Sequence, residues 1–69
     1  MKHVYAIEPS VLDDALEALD DNNVEYELDG NCIIVSDDND LSLQTSLMSN
    51  SIDFDDVTGG YILGDNNNQ

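Results

Sequence analysis

The sequence predicts a small α+β domain: an antiparallel sheet of three to four strands with two helices on one face, ferredoxin-like or a reduced variant of that fold. Three observations carry this reading. Short β-prone runs and longer helix-prone runs follow each other in the order strand–helix–strand–strand–helix–strand. The run from Val24 to Leu28 alternates apolar and acidic residues, and Asp29-Gly30 behind it is a hairpin signal. The first helix-prone run repeats its apolar residues at helical spacing. At 69 residues there is room for one shallow core. Residues 1–64 are expected to form the domain and "DNNNQ", 65–69, a disordered tail. No internal repeat and no domain boundary is visible.

"HVYAI" opens the chain as a β-prone run, ended by Glu8-Pro9. Ser10 is placed to cap the first helix, with Asp13 three residues on in the capping-box position. Leu12, Ala15, Leu16 and Leu19 then form one apolar stripe, and Asn22-Asn23 is the expected stop. In "VEYEL", Val24, Tyr26 and Leu28 share one face while Glu25 and Glu27 share the other. "CIIVS" returns as the next strand, and "DDND" (37–40) is a loop or a helix entry. "LSLQTSLMSNSI" reads as a second, weaker helix with Leu41, Met48 and Ile52 on one side. "DFDDV" is expected as a strand, Gly59-Gly60 as a turn and "YILG" as a last short strand.

Charge is the dominant feature. Sixteen Asp and Glu face one basic side chain, Lys2, for a net charge of −15, yet 41% of the residues are hydrophobic, enough for a folded core. Five carboxylates, Asp13, Asp14, Glu17, Asp20 and Asp21, fill the arc of the first helix opposite its apolar stripe. Asp13–Glu17 and Glu17–Asp21 are like-charge pairs four residues apart, each destabilising by about 0.2–0.5 kcal/mol. Asp20 and Asp21 lie where the helix dipole disfavours anions by about 0.3–1 kcal/mol each. Together these cost on the order of 1–3 kcal/mol, a large share of the roughly 3–10 kcal/mol a domain this size has. Only Asp13, near the N-terminus, is locally favourable. Local rules broken this consistently point to a functional site or an unusual solvent.

The spacing gives that site a chemistry. Asp13 to Asp21 covers about 12 Å of helix axis, or one charge per roughly 2.5–3 Å. A nucleic-acid strand carries one phosphate per about 3.4 Å. Glu25 and Glu27 on the next strand, and Asp37, Asp38 and Asp40 beyond the hairpin, are placed to extend the field, with Asp53, Asp55 and Asp56 further on. Such a surface attracts proteins that bind DNA through Lys and Arg, and it is repelled by nucleic acid and by anionic membranes.

Other chemistries fit poorly. From Asp37, the sixth and twelfth residues of a calcium loop are Ser42 and Met48 instead of Gly and Glu, so the EF-hand pattern fails. Paired surface aspartates lack the cleft that acid–base or glycosidase chemistry requires. His3 has no evident nucleophile partner, and Cys32, the only cysteine, reads as a small buried thiol. Tyr5, Tyr26 and Tyr61 are expected to contribute to the core, with their hydroxyls at its edge. No catalytic residue, metal or cofactor is expected. Neither a secretory signal nor a membrane span is read from the sequence, so the expected location is the cytoplasm.

The carboxylates of "LDDALEALDD", "VEYE", "SDDND" and "DFDD", in a small chain without catalytic motifs, resemble those of phage-encoded DNA-mimic inhibitors. Among these the chain is most similar to acidic anti-CRISPR proteins aimed at type I (Cascade) surveillance complexes, type I-C included. The resemblance implies occupation of a basic DNA-binding channel in the infected bacterial host, with Asp13, Asp14, Glu17, Asp20 and Asp21 as phosphate surrogates. Glu25, Glu27, Asp37, Asp38 and Asp40 would flank them. Mimic inhibitors of glycosylases or restriction enzymes share this physics. The competing class is a halophile-type acidic domain, whose charge answers to molar salt instead of a partner.

Overall fold

Strand β1, Lys2–Ala6, forms from the β-prone opening run and becomes one of the two inner strands of a four-stranded antiparallel sheet. The computed structural model describes residues 1–60. A 3-10 turn, Pro9–Val11, leads into α1, Leu12–Asp21. Strands β2, Glu27–Asp29, and β3, Cys32–Ser36, form a hairpin. Helix α2, Asp37–Ser49, follows directly, then β4, Asp55–Asp56, and a 3-10 turn, Thr58–Gly60. The strand order is β2-β3-β1-β4, with every pair antiparallel. β3 therefore fills the gap between β1 and β2, the split arrangement of the ferredoxin-like fold. The expected last strand, "YILG", with Tyr61 and the tail 65–69 lies outside the described residues.

Register decides which side is core. Tyr5 pairs with Ile33 and His3 with Val35, and these residues face the helices. Tyr5, Ile7, Ile33 and Val35 pack against Ala15 and Leu19 of α1 and Leu43 and Leu47 of α2, closed by Val24 and Ile52. Phe54 meets Tyr5 edge to face, ring centroids 5.4 Å apart. Lys2, Val4, Ala6, Glu27, Cys32 and Ile34 belong to the opposite sheet face. Among the described residues no helix is long and apolar enough to cross a membrane.

Both helices stop by the same device. Asn23 and Ser51 take left-handed backbones, φ 59° and 57°. Val24 N–H reaches back to the Leu19 carbonyl and Ile52 N–H to the Leu47 carbonyl, both 2.9 Å. Asn22 and Asn50 each donate a side-chain bond to the carbonyl four residues earlier, Ala18 and Ser46, both 2.8 Å. This is the Schellman closure, in which an apolar residue past the helix packs on its last turn. The fold thus contains a repeated strand–helix–stop unit that the sequence reading missed, because the two halves share positions and few residue types.

Several local expectations are corrected. Ser10 does not cap α1: the Pro9 turn makes it an interior residue, and its hydroxyl donates to Glu8, 3.3 Å away. Of "VEYEL" only Glu27 and Leu28 join the ladder, because Schellman closure occupies the backbone of Val24. Leu28 stays 47% exposed at the sheet edge. The hairpin loop is Gly30-Asn31, one residue later than expected, with Gly30 at φ 62°. Asn31 then clamps β1, exchanging 2.9 Å bonds with the backbone of Ile7. Of the two readings of "DDND", the helix entry is the one found: it is the first turn of α2. That helix is rotated relative to expectation: Leu41 and Met48 are 74% and 68% exposed, while Leu43 and Leu47 are buried. Leucines on both sides made two stripes available, and the entry from β3 selected the second.

Candidate functional site

The apolar stripe of α1 fixes the placement of its charges. Ala15, Ala18 and Leu19 turn inward, which leaves Asp13, Asp14, Glu17, Asp20 and Asp21 exposed together on the outer surface. Asp13, Asp14, Glu17 and Asp21 have neither a hydrogen-bond nor an ion-pair partner among the described residues. Asp20 accepts a 3.3 Å bond from the Tyr26 hydroxyl, and burial of that phenol, with Asp20 beside it, raises its pKa. On one flank Asp14, Glu17 and Asp21 face Asn50, Ser51 and Ile52 across an open groove of about 370 Å³. The groove is lined by three uncompensated carboxylates and a helix end that supplies no cation.

The flanking residues divide. Glu25 is exposed and unpaired in its side chain, with its N–H donating weakly to Asn39 Oδ1 at 3.4 Å. Glu27 lies across from Ile34, on the sheet face opposite α1, and pairs with Lys2 at 3.8 Å. The fold therefore separates Glu27 from the α1 face. It also places the only basic side chain where it cannot neutralise that face. Asp38 is exposed and free among the described residues.

Asp37 and Asp40 were expected as partner-binding groups and are engaged internally. The His3 ring donates from Nε2 to Asp37, and the N-terminal ammonium lies 3.6 Å from the other oxygen of that carboxylate. The Asp37 bond raises the His3 pKa, against a smaller opposing effect of burial, while the same bond lowers that of Asp37. Asp40 accepts from the Tyr5 hydroxyl and, at 3.1 Å, from Gln44. Burial, reinforced by Asp40, pushes the Tyr5 phenol up to about 12. The network fastens the start of α2 to β1. Sequence reasoning missed it because its members are 34 and 35 residues apart; the available signal was His3 and Tyr5 alternating onto one face of β1.

Among the described residues no Ser or Cys side chain bonds to His3. Among the described residues no group of three His, Cys, Asp or Glu side chains is arranged to hold a metal ion. What the surface can do chemically is present fixed negative charge. The α1 face and its groove offer the densest array of it.

No protein-family model, curated protein or solved structure matches this chain.

Proposed function

We propose that the chain is a DNA-mimic inhibitor: it occupies the basic DNA-binding site of a bacterial nucleic-acid-binding complex and keeps DNA out. The specific form implied by the resemblance is an anti-CRISPR protein acting on a type I (Cascade) complex in the cytoplasm of the infected host. It acts by binding alone, without catalysis or a cofactor. The observation that carries the reading is the exposed α1 face, five carboxylates over about 12 Å of axis, four of them unpaired.

The mechanism follows from electrostatics. A Lys/Arg surface that binds DNA displaces counterions from phosphates, and a rigid row of carboxylates offers a similar line of charge. Since α1 is fixed by its core stripe, little ordering entropy is spent on docking. Asp14, Glu17 and Asp21 border a groove wide enough to admit a guanidinium or ammonium group between helix and loop.

The test is competition. Wild-type protein should displace target DNA from a purified type I complex at about 50 mM salt and lose its grip as salt rises. Reversal of Asp13, Asp14, Glu17, Asp20 and Asp21 to Lys should abolish competition while the far-ultraviolet spectrum stays folded. Undiminished competition by that variant removes α1 from the mechanism. A wild-type chain that folds only in molar salt and retains no partner supports the salt-adapted domain instead.

A further inference from the structure

Helix α2 begins without a local fastening: Ser36, at its N-cap, makes no side-chain capping bond. Its first turn is held instead by His3, whose ring enters from β1 between two carboxylates. Nε2 bonds to Asp37, and Nδ1 stands 4.0 Å from Asp40 Oδ2. The side chains of His3 and Asp40 are each 22% exposed, so water screens the pair weakly. Asp40 is kept in place by the Tyr5 hydroxyl and by Gln44. An imidazole has two N–H donors only when protonated; the neutral ring has one, and its other nitrogen presents a lone pair. With a carboxylate facing each nitrogen, either neutral tautomer sets a lone pair against an anion.

We propose that His3 is a proton-operated latch: its imidazolium ties Asp37 and Asp40 to β1, and loss of the proton loosens residues 37–40 and returns both carboxylates to the free acidic surface. The surrounding charge sets the direction. Asp37 and Asp40 face the ring from α2 and Asp56 from β4, with the Tyr5 phenol on its own strand beyond Asp40. The N-terminal ammonium lies on the far side of Asp37, and β3 sets the neutral Val35 across from the ring. Three carboxylates outnumber one ammonium, so the protonated ring is the form this cluster holds. The Asp37 bond, chiefly, raises the His3 pKa. The latch is therefore closed below about pH 6.5 and opens as pH climbs through the folded value. Asp38 is exposed in the same turn, and Glu25 adjoins it through the bond from its N–H to Asn39. Opening adds Asp37 and Asp40 to these free charges, so the proton regulates how much negative charge this corner presents. The latch operates whether or not the α1 face binds a basic partner.

Nuclear magnetic resonance of the full chain between about pH 6 and pH 8.5 tests it. The ring protons of His3 report its titration, and the Leu41 amide, which closes the first helical turn onto Asp37, reports opening. Amide shifts of residues 37–41 should move with the ring's own midpoint. Exchange protection of Leu41, corrected for intrinsic base catalysis, should fall at least about fivefold across the range. His3→Gln removes the titrating group. Asp40→Asn keeps the histidine and takes away the anion facing Nδ1, so a neutral ring can stay in place. In both variants, folded by circular dichroism, the fall should shrink below about twofold. Wild-type protection that does not change with pH overturns the proposal, as does a full fall that survives in either folded variant.

Discussion

Asp21→Lys should make the protein more stable and a weaker competitor of DNA. Asp21 is exposed in the last turn of α1, four residues after Glu17, and bonds to nothing among the described residues. Removing the anion relieves the helix dipole by about 0.3–1 kcal/mol, and the cation gains a similar amount. The Glu17 repulsion, about 0.2–0.5 kcal/mol, becomes an attraction of the same size in the favoured Glu-before-Lys order. The total is about 1–3 kcal/mol, and full exposure places it near the lower end. At roughly 4–8 °C per kcal/mol for a domain of this size, Tm should rise by about 4–12 °C at low ionic strength. Thermal denaturation followed by circular dichroism at about 20 mM and 500 mM salt measures it, and the gain should shrink as salt screens the charges. An unchanged or lower Tm at low salt would refute the claim that α1 carries its charge at a cost. Asp21→Asn, which removes the anion without adding a cation, should give about half the gain.

Leu47→Ala should cost about 2–5 kcal/mol, enough to unfold much of the population, because Leu47 is fully buried among Leu19, Val24 and Ile52. Leu41→Ala, on the exposed side of α2, should stay within about 0.5 kcal/mol of wild type; urea denaturation of the pair tests the helix orientation. Ser51→Gly should stabilise by about 0.5–1 kcal/mol, since Ser51 holds the left-handed position where a Schellman stop favours glycine, and a lower urea midpoint would contradict that. The His3–Asp37 contact should give stability a pH window. His3 has a raised folded pKa, so its contribution is complete below about pH 6.5 and is lost as pH rises through the folded value. Asp37 has a lowered one, so its contribution is complete above about pH 3.9 and is lost as pH falls through the folded value. Urea midpoints should therefore drop from about pH 6 to pH 9 in wild type and much less in His3→Gln; equal drops would assign the slope to other groups.

The composition alone announced a surface that cannot neutralise itself, because one lysine cannot pair with sixteen carboxylates wherever the chain folds. Helix α1 was equally legible: its apolar residues leave a single way to face a core, so the positions of Asp13, Asp14, Glu17, Asp20 and Asp21 followed from periodicity. The element order, too, led to the interleaved sheet. Helix α2 was not legible in this way, since leucines stand on both of its sides and periodicity offers two solutions. Only packing against Tyr5, Ile33 and Leu19 buried Leu43 and Leu47 and left Leu41 and Met48 outside. The roles of Asp37 and Asp40 were decided at the same level. In sequence they are further carboxylates in an acidic run; in the fold, β1 brings His3 and Tyr5 against them and turns them into fastenings of α2. Amount and local spacing of charge belong to the sequence, because they need no partner. Which charges remain free for a partner belongs to the tertiary structure, because a carboxylate is engaged only when a distant strand brings a donor to it.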